Sequence, residues 1–166
     1  TGGYDQIREP KYVDVGIDYF VFTKSKIKQN SVWKVLDVGL ECQNMTPLEQ
    51  ARFVKTHPHL YFKDYDISIF IDGNIQILKD IKPLIFTMMD AHKKIAIHRH
   101  NYRDCIFDEA RIIWAQGRAK FKDILSQVLC YKREGFPRHF GLFETNVIVR
   151  FHNDQKCIEV METWWY

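Results

Sequence analysis

Three residues stand where an apolar run breaks. Asp-Ile-Ser-Ile-Phe-Ile (66–71) precedes Asp72-Gly73-Asn74, and Ile75-Gln76-Ile77 follows. A carboxylate at the end of a buried strand can hold a hard cation such as magnesium or manganese, and Asn74 offers a second oxygen two residues on. That cation would bridge the oxygens of a diphosphate and relieve leaving-group charge. Gly73 lets the backbone approach a bulky ligand. The same letters are also a strong hairpin signal, so the segment reads either as a ligand site or as a turn.

Other residues could serve the same chemistry. Arg52 and Lys55 are three apart on one expected helix, so they share a face. They could clamp a diphosphate or form a solvated cationic face. His152 follows Val147-Ile148-Val149 and either completes a metal site or is a hydrogen-bonded structural histidine. Glu144, after Gly141-Leu142-Phe143, could deprotonate an acceptor hydroxyl. Asp108-Glu109 could do so too, or could be helix-surface charge. His57 with His59, and His98 with His100, could bind zinc, but neither pair has companion ligands at a known spacing. Lys24, Lys26 and Lys28 alternate along a polar loop.

These residues need elements to position them. Strands are expected over 18–23, 31–38, 66–71, 75–77, 94–98 and 142–151. One helix opens with Thr46 as N-cap, Pro47 at N1 and Glu49 completing a capping box, and runs to about His57. Further helices are expected over 83–92, 105–116, 121–133 (stopped by Gly135) and 156–165. Strands alternating with helices predict an α/β domain with a mostly parallel sheet and flanking helices. Ligands bind beyond the carboxyl ends of such strands, where Asp72, His98–His100 and His152–Asp154 fall.

Composition bounds the rest. The 166 residues are 46% hydrophobic, enough for one domain with a real core. A net charge of +3 weakly favours anionic ligands and demands no nucleic acid. No apolar run approaches a membrane span. Cys42, Cys105, Cys130 and Cys157 form no C-x-x-C motif. Cys105, Cys130 and Cys157 are expected to be buried thiols, which suits a reducing compartment. A nucleophile elbow, a phosphate-binding glycine loop and a Rossmann fingerprint are all missing. The abrupt ends at Thr1-Gly2-Gly3 and Trp164-Trp165-Tyr166 suggest a single domain, 1–166, trimmed at both ends.

Taken in order, the motifs resemble a known family. They are Gly2-Gly3-Tyr4-Asp5, Asp18-Tyr19-Phe20 with Phe22-Thr23, Arg52, Lys55, Pro58-His59 and Tyr65-Asp66. Ile71-Asp72-Gly73-Asn74, His98, Arg103-Asp104-Cys105-Ile106 and Asp108-Glu109-Ala110 follow. Gly135-Phe136-Pro137, Gly141-Leu142-Phe143-Glu144, Val147-Ile148, Arg150, His152-Asn153 and Trp164-Trp165 complete the set. The chain resembles, over nearly its whole length, the glycosyltransferase-like family that includes plant mucilage-related proteins and bacterial relatives. The resemblance implies an A-type glycosyltransferase fold, with a Rossmann-like nucleotide-binding sheet. It implies that Asp72-Gly73-Asn74 is a variant of the superfamily's Asp-x-Asp motif and that His152 assists at the metal. It further implies that the loop bearing Gly3, Tyr4 and Asp5 lines the nucleotide base, while Arg52 and Lys55 approach the diphosphate. Relatives tend to carry Asp where Lys24 stands here.

The expected activity is transfer of a hexose from a nucleoside diphosphate sugar, such as a UDP-sugar, to a hydroxyl on a glycan. Manganese or magnesium would sit at Asp72, Asn74 and His152, with Glu144 and Asp72 in the catalytic roles. A non-catalytic nucleotide-sugar binding module and a metal-dependent hydrolase are the alternatives. The setting would be cytoplasmic in a bacterium, or the Golgi lumen in a eukaryote.

Overall fold

A computed structural model describes residues 6–165. The chain divides into two compact units: one runs to Ala96 and resumes at Asn146, and the other is Ile97–Thr145.

In the first unit, β1 (Phe20–Phe22) pairs in parallel with β2 (Lys34–Leu36), Val21 opposite Val35. Both strands are shorter than expected. Their side chains add to an aromatic cluster in which Phe20 and Phe22 meet Phe62 and Tyr61. The expected capping box opens α1 (Pro47–Thr56): the Glu49 N–H donates to Thr46 Oγ1, and the Thr46 N–H donates to the Glu49 carboxylate. Pro58 then drives His57 out of helical geometry and restarts the chain as a short helix, α2 (Pro58–Tyr61), which was not foreseen.

β3 (Ser68–Ile71) ends at Asp72. The expected strand over 75–77 does not form. The Ile75 N–H instead donates to the Asp72 carbonyl at 2.9 Å and closes a tight turn. α3 (Lys82–Asp90) stops short of His92, whose φ of 51° is left-handed. The Lys93 N–H then reaches back to the Met88 carbonyl, the usual helix-ending bond around such a residue. β4 is Ile95–Arg99, α4 is Ile106–Ala115 and α5 is Phe121–Arg133. β5 is Phe143–Arg150 and α6 is Gln155–Trp165.

The mostly parallel sheet is corrected. Among the described residues, the only parallel pair is β1–β2, and the larger sheet has the order β3-β5-β4. β5 runs antiparallel to β3, with Ile69 opposite Val149 and Ile71 opposite Val147. Strand–helix alternation implies parallel strands only when each connection crosses over to the far end of the sheet. The connection carrying α4 and α5 does not. It leaves β4 and returns beside it, with the His100 N–H on the Leu142 carbonyl at 2.7 Å, so β5 must run back. The fold is mixed α/β, with small sheets and flanking helices.

The first unit's core lies under the end of β5. Ile148 and Val149 are buried there, with Cys157 and Met161 of α6 and Val54 of α1. Arg150 is buried among them at 1% exposure. In the second unit, Cys105 and Phe107 are buried, whereas α5 buries none of its residues. Of the thiols, Cys42, Cys105 and Cys157 are buried. Cys130 is only half-buried, because it lies on the open side of α5, where its Sγ meets the Glu134 carboxylate at 3.1 Å. No described helix is long and apolar enough to cross a membrane.

Candidate functional site

Asp72 is set by the end of β3. Its N–H donates to the Asn146 carbonyl at 2.9 Å, and its own carbonyl closes the turn to Ile75. Of the two readings of this segment, the turn is the one that forms, and it carries Asp72 and Asn74. Asn74 lies exposed on the turn, and the Asp72 side chain keeps 42% of its surface open. Both offer oxygen to a ligand.

Lys55 comes to Asp72 from the last turn of α1, with Nζ 3.5 Å from Oδ1. The ammonium also stands 4.7 Å from the Phe70 ring centre and 5.7 Å from that of Trp164. Ring faces attract a cation. Burial lowers the Lys55 pKa from the ordinary lysine value, and the Asp72 charge opposes that shift. The result is a half-buried cation between aromatic walls beside a reachable carboxylate. Arg52, expected on the same face, is exposed.

Arg150 fixes the backbone beneath this pair. Its guanidinium donates to the Lys55 carbonyl at 2.6 Å and to Ser68 Oγ at 3.2 Å, and it lies 3.1 Å from Met161 Sδ. One side chain thus ties the end of α1 to β3 and α6. A cation at a helix C-terminus is also favoured by the helix dipole. Burial brings the Arg150 pKa down to about 10.

His152 is 1% exposed, with Nε2 2.7 Å from the Phe62 carbonyl. A carbonyl only accepts, so Nε2 carries the proton and Nδ1 holds the lone pair. That Nδ1 is buried with no hydrogen-bond partner among the described residues, as is the Nδ1 of His59. Burial lowers the pKa of both rings below the ordinary histidine value. His57 and His59 share a carboxylate that spacing could not reveal: Glu162 of α6, at 3.3 and 3.5 Å.

Glu144 belongs to the second unit. Its Oε1 lies 3.4 Å from His100 Nε2. His100 Nδ1 accepts the backbone N–H groups of Tyr102 and Arg103, and the Arg103 guanidinium lies 2.8 Å from Nε2. Arg103 pairs in turn with Glu109. Asp108 pairs with Arg138 at 3.6 Å, and His98 is exposed. Gly3, Tyr4 and Asp5 lie outside the described residues.

The structure therefore brings Lys55 and Asp72 together, with Phe70 and Trp164, and gives Glu144 a histidine partner. Phe70 was not picked out, although lying two residues before Asp72 puts it on the same face of β3. Trp164 and Arg150 were missed as site residues, because packing of α6 and β5 against α1 brings them there.

Residues 18–157 match the family described as TOD1/MUCI70, glycosyltransferase-like domain. No curated protein and no solved structure gives a significant match.

Proposed function

The chain belongs to the TOD1/MUCI70 glycosyltransferase-like family, and from that premise we propose that it transfers a hexose from a nucleoside diphosphate sugar to a glycan hydroxyl. The observation that carries the reading is the Lys55–Asp72 pair, 3.5 Å apart at the end of β3. A diphosphate needs a cationic partner, and a divalent cation needs an oxygen donor. The pair supplies one of each, at one strand end.

In this reading Lys55, assisted by Arg52, binds the diphosphate. Asp72 and Asn74 hold manganese or magnesium, and they fit a hard cation because both offer oxygen at an accessible turn. His152, the third expected ligand, is not one: β5 runs antiparallel to β3 with Ser68 opposite Arg150, so His152 lies beyond the end of β3 opposite to Asp72. A bound cation neutralises charge on the leaving diphosphate. The acceptor oxygen forms a bond to the anomeric carbon as the bond from that carbon to the diphosphate oxygen breaks. The acceptor proton needs a general base, and the sequence offers Glu144 for that role. A UDP-sugar is the proposed donor, with Gly3, Tyr4 and Asp5, which lie outside the described residues, proposed for its base.

Calorimetric titration with UDP, with and without manganese and against GDP, tests the site. UDP binding that strengthens with manganese, and loses that gain in Asp72→Ala, is the expected outcome. Normal transfer by Asp72→Ala would sink the assignment. Binding without transfer to any glycan acceptor would instead identify a nucleotide-sugar binding module.

A further inference from the structure

A second constellation, of residues given no part in the proposed transfer, sits in the Ile97–Thr145 unit. One ligating atom each from Cys105, Asp108 and His139 lies within 4.8 Å of the others. Among the described residues, no other group of three or more such side chains is as close.

Each is placed by local structure. Cys105 is the N-cap of α4, and Asp108 is the third residue of that helix. An N-cap side chain turns back over the first turn towards the third helical residue, which brings thiol and carboxylate together. His139 arrives from a distant loop, and its backbone takes a φ of 55°. That left-handed conformation is uncommon for a residue other than glycine, and such strain persists only where the surroundings impose it. The surroundings here are Asp104. Its carboxylate lies 2.8 Å from His139 Nδ1, and its carbonyl accepts the Gly141 N–H at 2.8 Å. The loop is thereby pinned against the start of α4 at two points. A carboxylate on one imidazole nitrogen fixes the tautomer and ring plane and makes the other nitrogen a better ligand.

We propose that Cys105, Asp108 and His139 form a zinc site, with Asp104 as the outer carboxylate that orients His139. Thiolate, imidazole and carboxylate together suit zinc better than magnesium or calcium, which prefer oxygen alone. Ligand atoms around tetrahedral zinc stand about 3.5 Å apart, so the three need to close by little more than an ångström. Burial falls steadily across the set. Cys105 is 1% exposed, and the Asp108 and His139 side chains are 38% and 58% exposed. The metal would enter from solvent and keep a fourth, exchangeable position on the open side. Arg138, 3.6 Å from Asp108, is the cation it would displace.

The site is independent of the Lys55–Asp72 pair and can be tested without any sugar substrate. Cobalt(II) serves as the probe, because a tetrahedral cobalt–thiolate bond gives a charge-transfer band and intense visible bands. One equivalent of cobalt is expected to produce both, and zinc to bleach them. Cys105→Ser abolishes the charge-transfer band. His139→Ala, a change at an exposed side chain that leaves the fold intact, weakens zinc at least tenfold, and Asp104→Asn weakens it about tenfold. Arg138→Ala strengthens it. Cys130→Ser, in the same unit, changes nothing. A folded wild-type protein that shows no such band with cobalt would overturn the proposal. So would a band that survives Cys105→Ser, or zinc affinity unchanged in His139→Ala.

Discussion

Lys55 Nζ stands 3.5 Å from Asp72 Oδ1, so a ligand that draws on one group takes it from the other. A diphosphate on Lys55 releases Asp72 to a cation, and a cation on Asp72 releases Lys55 to the diphosphate. Binding of the two should therefore be coupled, and the coupling must be reciprocal. Manganese is expected to tighten UDP by the same factor as UDP tightens manganese. Lys55→Met should move the two affinities in opposite directions. UDP weakens by about tenfold, the worth of a charge-assisted hydrogen bond, while manganese alone binds more tightly. Additive, uncoupled titrations would break the link between the groups.

Arg150 predicts the largest loss of stability. It is buried, and it serves the Lys55 carbonyl and Ser68 Oγ. Arg150→Ala leaves a cavity and strands a buried carbonyl, at a cost of about 3 kcal/mol or more. Urea unfolding measures it. A loss below about 1 kcal/mol would show that the guanidinium contributes little to the fold.

Acid should weaken the first unit before its carboxylates titrate. Burial holds the His59 and His152 pKa values below the ordinary value near 6.5. Arg150 reinforces both shifts, and Glu162 opposes the one on His59. Between the folded and unfolded pKa values, the unfolded chain binds more protons, so stability rises with pH across that window. The unfolding midpoint is expected to fall as pH drops from about 7 to about 5. His152→Gln keeps a donor for the Phe62 carbonyl but cannot titrate, so its slope should be shallower. An identical slope would remove His152 from the account.

The α1 capping box supports the helix that carries Lys55. Thr46→Ala removes the acceptor of the Glu49 N–H and is expected to cost about 1 kcal/mol in thermal or urea unfolding. A cost near zero would mean that packing against α6 alone holds α1.

Local chemistry was the legible part of this molecule. The capping box and the stop after α5 are each written in a few adjacent residues, and each formed as read, whereas the break at Asp72 formed as a turn without the strand expected after it. What could not be read depends on chain reversal over long distances. The antiparallel run of β5 follows from a connection that returns to the strand end it left. Trp164 reaches Lys55 only because α6 packs on α1. The Cys105–Asp108–His139 cluster escaped notice because a left-handed backbone at His139, invisible in composition, folds a remote loop back onto α4. The Asp72 segment shows the limit most clearly. Turn and ligand site looked like rivals in the sequence, yet a tight turn can present a carboxylate and an amide together.

Lys55 faces two ways. Its carbonyl is held by Arg150, and its ammonium meets Asp72. Any residue placed at position 55 retains that carbonyl, so the anchor survives while the side chain is free to vary. Position 55 is therefore a site where specificity can drift, in nature or in a mutant library, without first undoing the architecture beneath it. Position 150 has no such latitude, because its one side chain makes all of its connections at once.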